Sequence, residues 1–106
     1  MQTLEDIKKI IDEELAVMVY FSAPTCNVCH ALKPKLTKAI DDNFEEFKTV
    51  SVDISVQEDI APHFNIFTIP TILIFLDGKE FLRKSRNMSV DEVIREIKRP
   101  YDIMTS

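Results

Sequence analysis

The sequence predicts an α/β fold: an open three-layer sandwich whose central mixed sheet of about four strands is covered by helices on both faces. Two observations carry that prediction. Helical and strand-like patterns alternate along the 106 residues with neither linker nor internal repeat, and two segments, Ala16 to Phe21 and Thr71 to Leu76, are apolar at nearly every position. A strand without polar alternation is buried on both faces, which calls for a helical layer on each side. A chain of this length folds around one core, so residues 1–106 read as a single domain.

Thr3-Leu4-Glu5-Asp6 opens the first helix, because a threonine oxygen accepts a free N–H of the first turn. Leu4, Ile7, Ile10 and Ile11 then share one face. The first buried strand follows at Ala16 to Phe21. A long helical pattern starts around Cys26, with Val28, Leu32, Leu36 and Ile40 recurring every fourth residue. Pro34 lies inside it and is expected to kink the helix, since proline removes one donor and crowds the preceding turn. Val50, Val52 and Ile54 alternate with Thr49, Ser51 and Asp53, which reads as a strand. Ser55-Val56-Gln57-Glu58 is a capping-box sequence and predicts a short helix with Val56, Ile60 and Phe64 on its buried face. Thr71 to Leu76 is the second apolar strand. Asp77-Gly78 turns the chain, glycine accepting positive φ without steric penalty. Glu80 to Lys84 returns, and the charges of Arg83 and Lys84 suit a sheet edge. Ser89-Val90-Asp91-Glu92 caps a last helix with Val93, Ile94 and Ile97 on one face; Pro100 is expected to stop it, leaving Tyr101 to Ser106 without a pattern. A strand–helix–strand unit with a long crossover makes a parallel, right-handed pair, and the closing hairpin adds antiparallel strands.

Composition narrows the function. Hydrophobic residues make up 45% of the chain and charged residues 29%, which excludes a disordered tail; one glycine and five prolines exclude a collagen-like or low-complexity chain. No apolar run approaches the roughly 20 residues needed to cross a bilayer, so no membrane partner is expected. The formal net charge of −5 argues against nucleic acid, whose binders normally show a basic stripe. No basic start leads into an apolar stretch, so no secretory signal is read and a cytoplasmic location is expected. In that reducing compartment a lone cysteine pair is more often catalytic or metal-binding than structural.

The chemistry concentrates at Pro24-Thr25-Cys26-Asn27-Val28-Cys29-His30. A Cys-x-x-Cys pair at a helix start places both sulfurs within bridging distance. The first sulfur sits near unpaired N–H groups and the positive end of the helix dipole, which favour thiolate over thiol. Thiolate is the nucleophile of disulfide exchange, so Cys26 is expected to attack. Cys29, one turn inside the helix and less exposed, is expected to resolve the mixed disulfide. This chemistry requires no bound cofactor.

Phe21-Ser22-Ala23-Pro24-Thr25-Cys26-Asn27-Val28-Cys29 resembles the active-site stretch of the thioredoxins. Pro34 stands five residues after the second cysteine, where that family carries its helix-kinking proline, and Ile69-Pro70-Thr71 matches its cis-proline loop, followed by an apolar strand and Asp77-Gly78-Lys79. The resemblance spans nearly the whole chain. It implies a thioredoxin-like fold in which the family's N-terminal strand is shortened or absent, because the first helix begins at Thr3. It implies a redox-active Cys26–Cys29 disulfide and a cis Pro70 beside Cys26, with neighbouring backbone pairing with an extended substrate strand. Thr25, Ile69, Pro70 and Arg86 are then the expected substrate-contacting residues. The activity implied is exchange of disulfides with protein substrates, as a reductase in cell redox homeostasis and electron transport. An outside reductase would supply the electrons, and a monomer is expected.

Several positions depart from that family. Thr25 stands for its tryptophan, Asn27-Val28 for the usual Gly-Pro, Tyr20 for a buried proton-accepting aspartate, Ser51 for that aspartate's lysine neighbour, and Arg86 for a glycine of the substrate-facing loop. Proton transfer at Cys29 is therefore expected to use water or another group. Arg86 is expected beside the disulfide, either stabilising the Cys26 thiolate or selecting acidic partners.

The same residues admit other readings. Cys26-Asn27-Val28-Cys29-His30 fits a c-type haem attachment site with His30 as axial ligand, but an α/β pattern without an export signal is the wrong context. Zinc would need four ligands, and the soft candidates are only Cys26, Cys29, His30 and His63. Both histidines read as solvated helix residues, so no metal is expected. Glutaredoxins share a similar Pro-Thr-Cys start, yet their glycine-rich glutathione turn is absent, Gly78 being the only glycine. The remaining alternative is a non-catalytic protein-binding or redox-sensing module on the same fold.

Overall fold

The computed structural model describes residues 2–86 and 88–105. Along them run α1 (Leu4–Glu13), β1 (Ala16–Ser22), α2 (Asn27–Asn43), β2 (Phe47–Asp53), α3 (Ile60–His63), β3 (Thr71–Leu76), β4 (Lys79–Ser85) and α4 (Val90–Thr105). This is the order of elements that the sequence predicts. The four strands stand side by side as β2-β1-β3-β4. β1 and β2, joined through α2, are parallel, whereas β3 runs antiparallel to β1 and β4 to β3. Among the described residues, no helix is long and apolar enough to cross a membrane.

β1 explains the three layers. Residues Ala16 to Phe21 are all buried, and successive side chains of a strand point to opposite faces. Val17, Val19 and Phe21 pack with Ile7 and Ile11 of α1, Val50 and Val52 of β2, and Ile60 of α3. Ala16, Met18 and Tyr20 pack instead with Leu36 and Ile40 of α2 and with Val93 and Ile97 of α4. β3 divides its side chains between the same two cores.

The ends of the elements follow local chemistry. At α1 the Asp6 N–H donates to Thr3 Oγ1 at 3.1 Å and the Thr3 N–H to Asp6 Oδ2 at 3.0 Å, a reciprocal cap. Those bonds from Thr3 hold the Asp6 carboxyl below its ordinary range. Asp77 and Gly78 both take positive φ, 54° and 79°, as a tight hairpin turn matched to strand twist requires. β4 forms a sheet edge.

Two elements differ from the sequence expectation. The helix expected from Ser55 does not begin there. Ser55 donates its N–H and its hydroxyl to Asp53 Oδ1, at 2.9 and 2.6 Å, a local turn that competes with a helix cap. Val56 is consequently exposed, and α3 is a single turn over Ile60–His63. Nor does Pro100 stop α4, which continues to Thr105; Ser106 lies outside the described residues. A proline inside a helix costs about 3 kcal/mol. The turn it would delete buries Tyr101, whose ring centroid lies 4.7 Å from Phe44 and 5.9 Å from Phe47 and whose hydroxyl accepts the Glu46 N–H at 2.9 Å. Burying an aromatic ring contributes about 2–3 kcal/mol and the hydrogen bond about 1, enough to offset that cost. Pro34 likewise lies inside α2 without ending it. The face of α2 read from every fourth residue is buried at Leu36 and Ile40 and half-buried at Leu32, while Val28 is 61% exposed.

This account of the last turn is testable. Tyr101→Ala is expected to lower the unfolding free energy by about 3 kcal/mol and Tyr101→Phe by about 1, read from urea midpoints. Small and equal losses would show that the turn beyond Pro100 adds nothing to the core.

Candidate active site

The loop after β1 delivers both cysteines. The Cys26 N–H donates to the Ala23 carbonyl at 3.0 Å, which turns the chain back on itself. Cys26 then occupies the N-cap of α2 with extended backbone, φ −92° and ψ 98°. Its Sγ accepts the N–H of Cys29 at 3.2 Å, the part that a serine or aspartate oxygen plays at an ordinary helix start. The two residues form a disulfide with Cα atoms 5.2 Å apart. Cys26 is half-buried and Cys29 is 1% exposed, so a partner arriving from solvent meets Cys26 first. The first turn of α2 carries no acidic residue to oppose the positive end of the helix dipole. The dipole and the Cys29 N–H both favour a thiolate at Cys26 once the bond is reduced.

A second loop faces the disulfide. The Ile69–Pro70 peptide is cis. Pro70 is buried, and together with Ile69, Cys26, Asn27, Val28 and Arg86 it lines a groove of about 290 Å³. The exposed Val28 thus belongs to this groove and not to the core. Arg86 has φ 54°; its N–H donates to the Pro70 carbonyl at 2.8 Å and its own carbonyl accepts the Met88 N–H at 2.8 Å. Among the described residues, no backbone hydrogen bond engages Ile69. The structure therefore brings Ile69, Pro70 and Arg86 together with Cys26. Thr25 is exposed next to Cys26 in the chain but does not line the groove.

Beneath the disulfide lies a contact that sequence reasoning missed. The buried Tyr20 hydroxyl donates to the Cys29 carbonyl at 3.0 Å, tying β1 to the first turn of α2. Burial pushes the Tyr20 pKa above its ordinary value, so the phenol keeps its proton at neutral pH and accepts none from Cys29. The available signal was one polar-tipped residue in an otherwise apolar strand, which indicates a buried hydroxyl in need of a partner. Ser51 is the register partner of Tyr20 on β2 and is exposed.

The histidines are occupied elsewhere. His30 Nε2 donates to the Pro24 carbonyl at 2.8 Å, bracing the loop before Cys26 against the helix after Cys29. With the sulfurs joined to each other and His30 turned to Pro24, the geometry does not favour haem attachment. His63 is exposed with its ring against Phe64. Among the described residues, no group of three or more His, Cys, Asp or Glu is placed to hold a metal ion.

Comparison with known proteins bears on this arrangement. A family model described as Thioredoxin matches residues 2–99. The chain is 33% identical over 101 residues to Thioredoxin-like protein YdfQ of Bacillus subtilis (strain 168), covering 95% of this chain and 89% of that one. It is 31% identical over 94 residues to Thioredoxin of Mycoplasma genitalium, covering 89% and 91% of the two chains. In fold it is similar to the oxidized form of mitochondrial thioredoxin 3 from Saccharomyces cerevisiae, with a TM-score of 0.81 at 22% identity over 92% of this chain and 91% of that one.

Tyr20→Phe removes the donor to the Cys29 carbonyl and is expected to lower stability by about 1–2 kcal/mol. A pH dependence follows from the raised Tyr20 pKa. The folded state retains the phenol proton at pH values where the unfolded chain, with its pKa near 10, has released it. This contribution is intact below the unfolded pKa and is lost as pH rises toward the folded one. The fall of the denaturant midpoint above about pH 10 should therefore be shallower in Tyr20→Phe than in the parent, and parallel curves would exclude the assignment.

Proposed function

The chain belongs to the thioredoxin family and is a thiol–disulfide oxidoreductase, and from that premise we propose that it reduces protein disulfides with Cys26 as the attacking sulfur and Cys29 as the resolving one. The observation that carries this reading is the half-buried Cys26 sulfur at the N-cap of α2, bonded to buried Cys29 and facing the cis Pro70 loop. Neither the site nor the relatives favour a non-catalytic binding module.

In the proposed cycle the Cys26 thiolate attacks one sulfur of a substrate disulfide. An S–S bond forms to Cys26, and the other substrate sulfur leaves as a thiolate that takes a proton from water. The Cys29 thiol gives its proton to water and attacks Cys26 Sγ. That step closes the Cys26–Cys29 disulfide and releases the second substrate sulfur, so two electrons pass from the dithiol to the substrate. Water is assigned the proton because Tyr20 stays protonated and is committed to the Cys29 carbonyl. The free backbone groups of Ile69 suit pairing with an extended substrate segment laid across Pro70, with Thr25 at the rim. A separate dithiol reductase, running the same exchange in reverse, restores Cys26 and Cys29. The cytosol, where thiols are kept reduced, is the compartment in which such a cycle can be sustained, and there the chain would serve electron transport and redox homeostasis as a monomer.

Cys29→Ser is expected to accumulate a mixed disulfide with substrate proteins through Cys26, released by dithiothreitol. Cys26→Ser is expected to trap nothing and to lose insulin-disulfide reduction, which the parent chain accelerates. Preferential trapping through Cys29 would overturn the assignment of roles, read by mass spectrometry of the linked peptides.

A further inference from the structure

Three cations follow one another where β4 ends, and their charges are neutralised unevenly. Arg83 Nη2 lies 2.8 Å from Glu80, and Lys84 Nζ lies 3.0 Å from Glu92 and 3.2 Å from Glu96. The side-chain hydrogen bonds that Arg83 and Lys84 donate to these carboxylates raise the pKa of both cations. Arg86 is different. Among the described residues it makes no ion pair, it is exposed, and it lines the groove that holds Cys26. The other groove residues, Cys26, Asn27, Val28, Ile69 and Pro70, include no carboxylate. The guanidinium is charged at any physiological pH. Arg86 is thus the only residue lining the groove with a cationic or carboxylate side chain.

The backbone at this position is committed, and the side chain is not. The Arg86 N–H and carbonyl are used by Pro70 and Met88, and φ is 54°, a region that residues other than glycine seldom occupy. A guanidinium that makes no ion pair with a carboxylate of the molecule and lines the groove of the Cys26–Cys29 disulfide is placed to meet a carboxylate outside. We infer that Arg86 is a specificity residue that selects substrate disulfides with an Asp or Glu close in sequence to the cysteine under attack. The carboxylate pairs with the guanidinium while uncharged neighbours lie over Val28 and Ile69. Because Arg86 lines the same small groove as Cys26, the acidic residue must stand within a residue or two of that cysteine. The inference rests on the reading of Cys26 as the attacking sulfur. The chain carries a net charge of −5, so long-range attraction does not supply this preference; it belongs to the groove.

The test uses two short peptide disulfides, identical but for Glu or Gln beside the cysteine, and reads the ratio of kcat/KM between them. An exposed pair of this kind corresponds to a ratio of about two- to fivefold in favour of Glu. That ratio should persist in Arg86→Lys. It should fall to unity or below in Arg86→Asn, asparagine being tolerant of positive φ, and fall further in Arg86→Glu. On the parent chain alone, rising salt should shrink it through screening. A salt-independent ratio, or one unchanged in Arg86→Asn and Arg86→Glu, would overturn the inference. So would equal losses on both peptides, which would mean that Arg86 acts on the Cys26 thiolate instead; either result leaves the exchange chemistry standing. Failure of the parent chain to reduce either peptide would bring down the reading of Cys26, and this inference with it.

Discussion

The first turn of α2 is held at one residue from two directions, and the chemistry of the site depends on that. The Cys29 N–H points to Cys26 Sγ, and the Cys29 carbonyl receives the Tyr20 hydroxyl from below. A helix start that frayed would scatter its free N–H groups, and the sulfur would lose both its hydrogen bond and the dipole that favours its charged form. Tyr20 can act as an anchor because β1 is buried along nearly its whole length, with a separate core on each face. The burial that makes β1 the centre of the fold therefore also fixes the position of the active-site turn.

Strand register brings the remaining parts to the same place. Phe21 near the end of β1 pairs with Thr71 at the start of β3, so the cysteine loop and the Pro70 loop leave the sheet side by side. Thr71 also pairs with Ser85 at the end of β4, which sets Arg86 against Pro70. The Thr71 hydroxyl, a buried polar group, donates to the Thr68 carbonyl at 2.7 Å and so fastens the loop that enters the cis peptide. Register is strongly specified when both sheet faces are buried, because a slip of one residue would send every side chain to the wrong core. The groove inherits its geometry from that constraint.

These causes explain what could be read from sequence. Element order, the double-sided burial of β1 and β3, and the cysteines at a helix start are all written in local pattern, and the sheet follows. What escaped notice depends on partners distant in the chain. Nothing near Pro100 announces that Tyr101 will meet Phe44 and Phe47 and that their contact will outweigh a proline inside the helix. The capping-box letters at Ser55 are genuine, but Asp53 two residues earlier takes both Ser55 donors first. Val28 has helical spacing with Leu32 and Leu36, yet spacing does not say where the sheet beneath a helix ends. The bond from Tyr20 to the Cys29 carbonyl is of the same kind: sequence marks the hydroxyl as needing a partner and leaves the partner to the packing.

Arg86 shows how a position can be constrained in its backbone and free in its side chain. Closing the loop needs only an N–H for the Pro70 carbonyl and a carbonyl for the Met88 N–H, which any residue except proline can supply. Glycine would adopt φ 54° without penalty, whereas a side chain in the left-handed region costs on the order of 1 kcal/mol. A cost of that size at an exposed site, where the side chain gains no ion pair within the molecule, is not recovered by folding. What the arginine contributes is then to be sought in the groove it lines together with Cys26, Asn27, Val28, Ile69 and Pro70. The loop that holds Pro70 is thus closed by the backbone atoms of Arg86, and the groove is lined by its side chain, so the two depend on separate atoms of one residue.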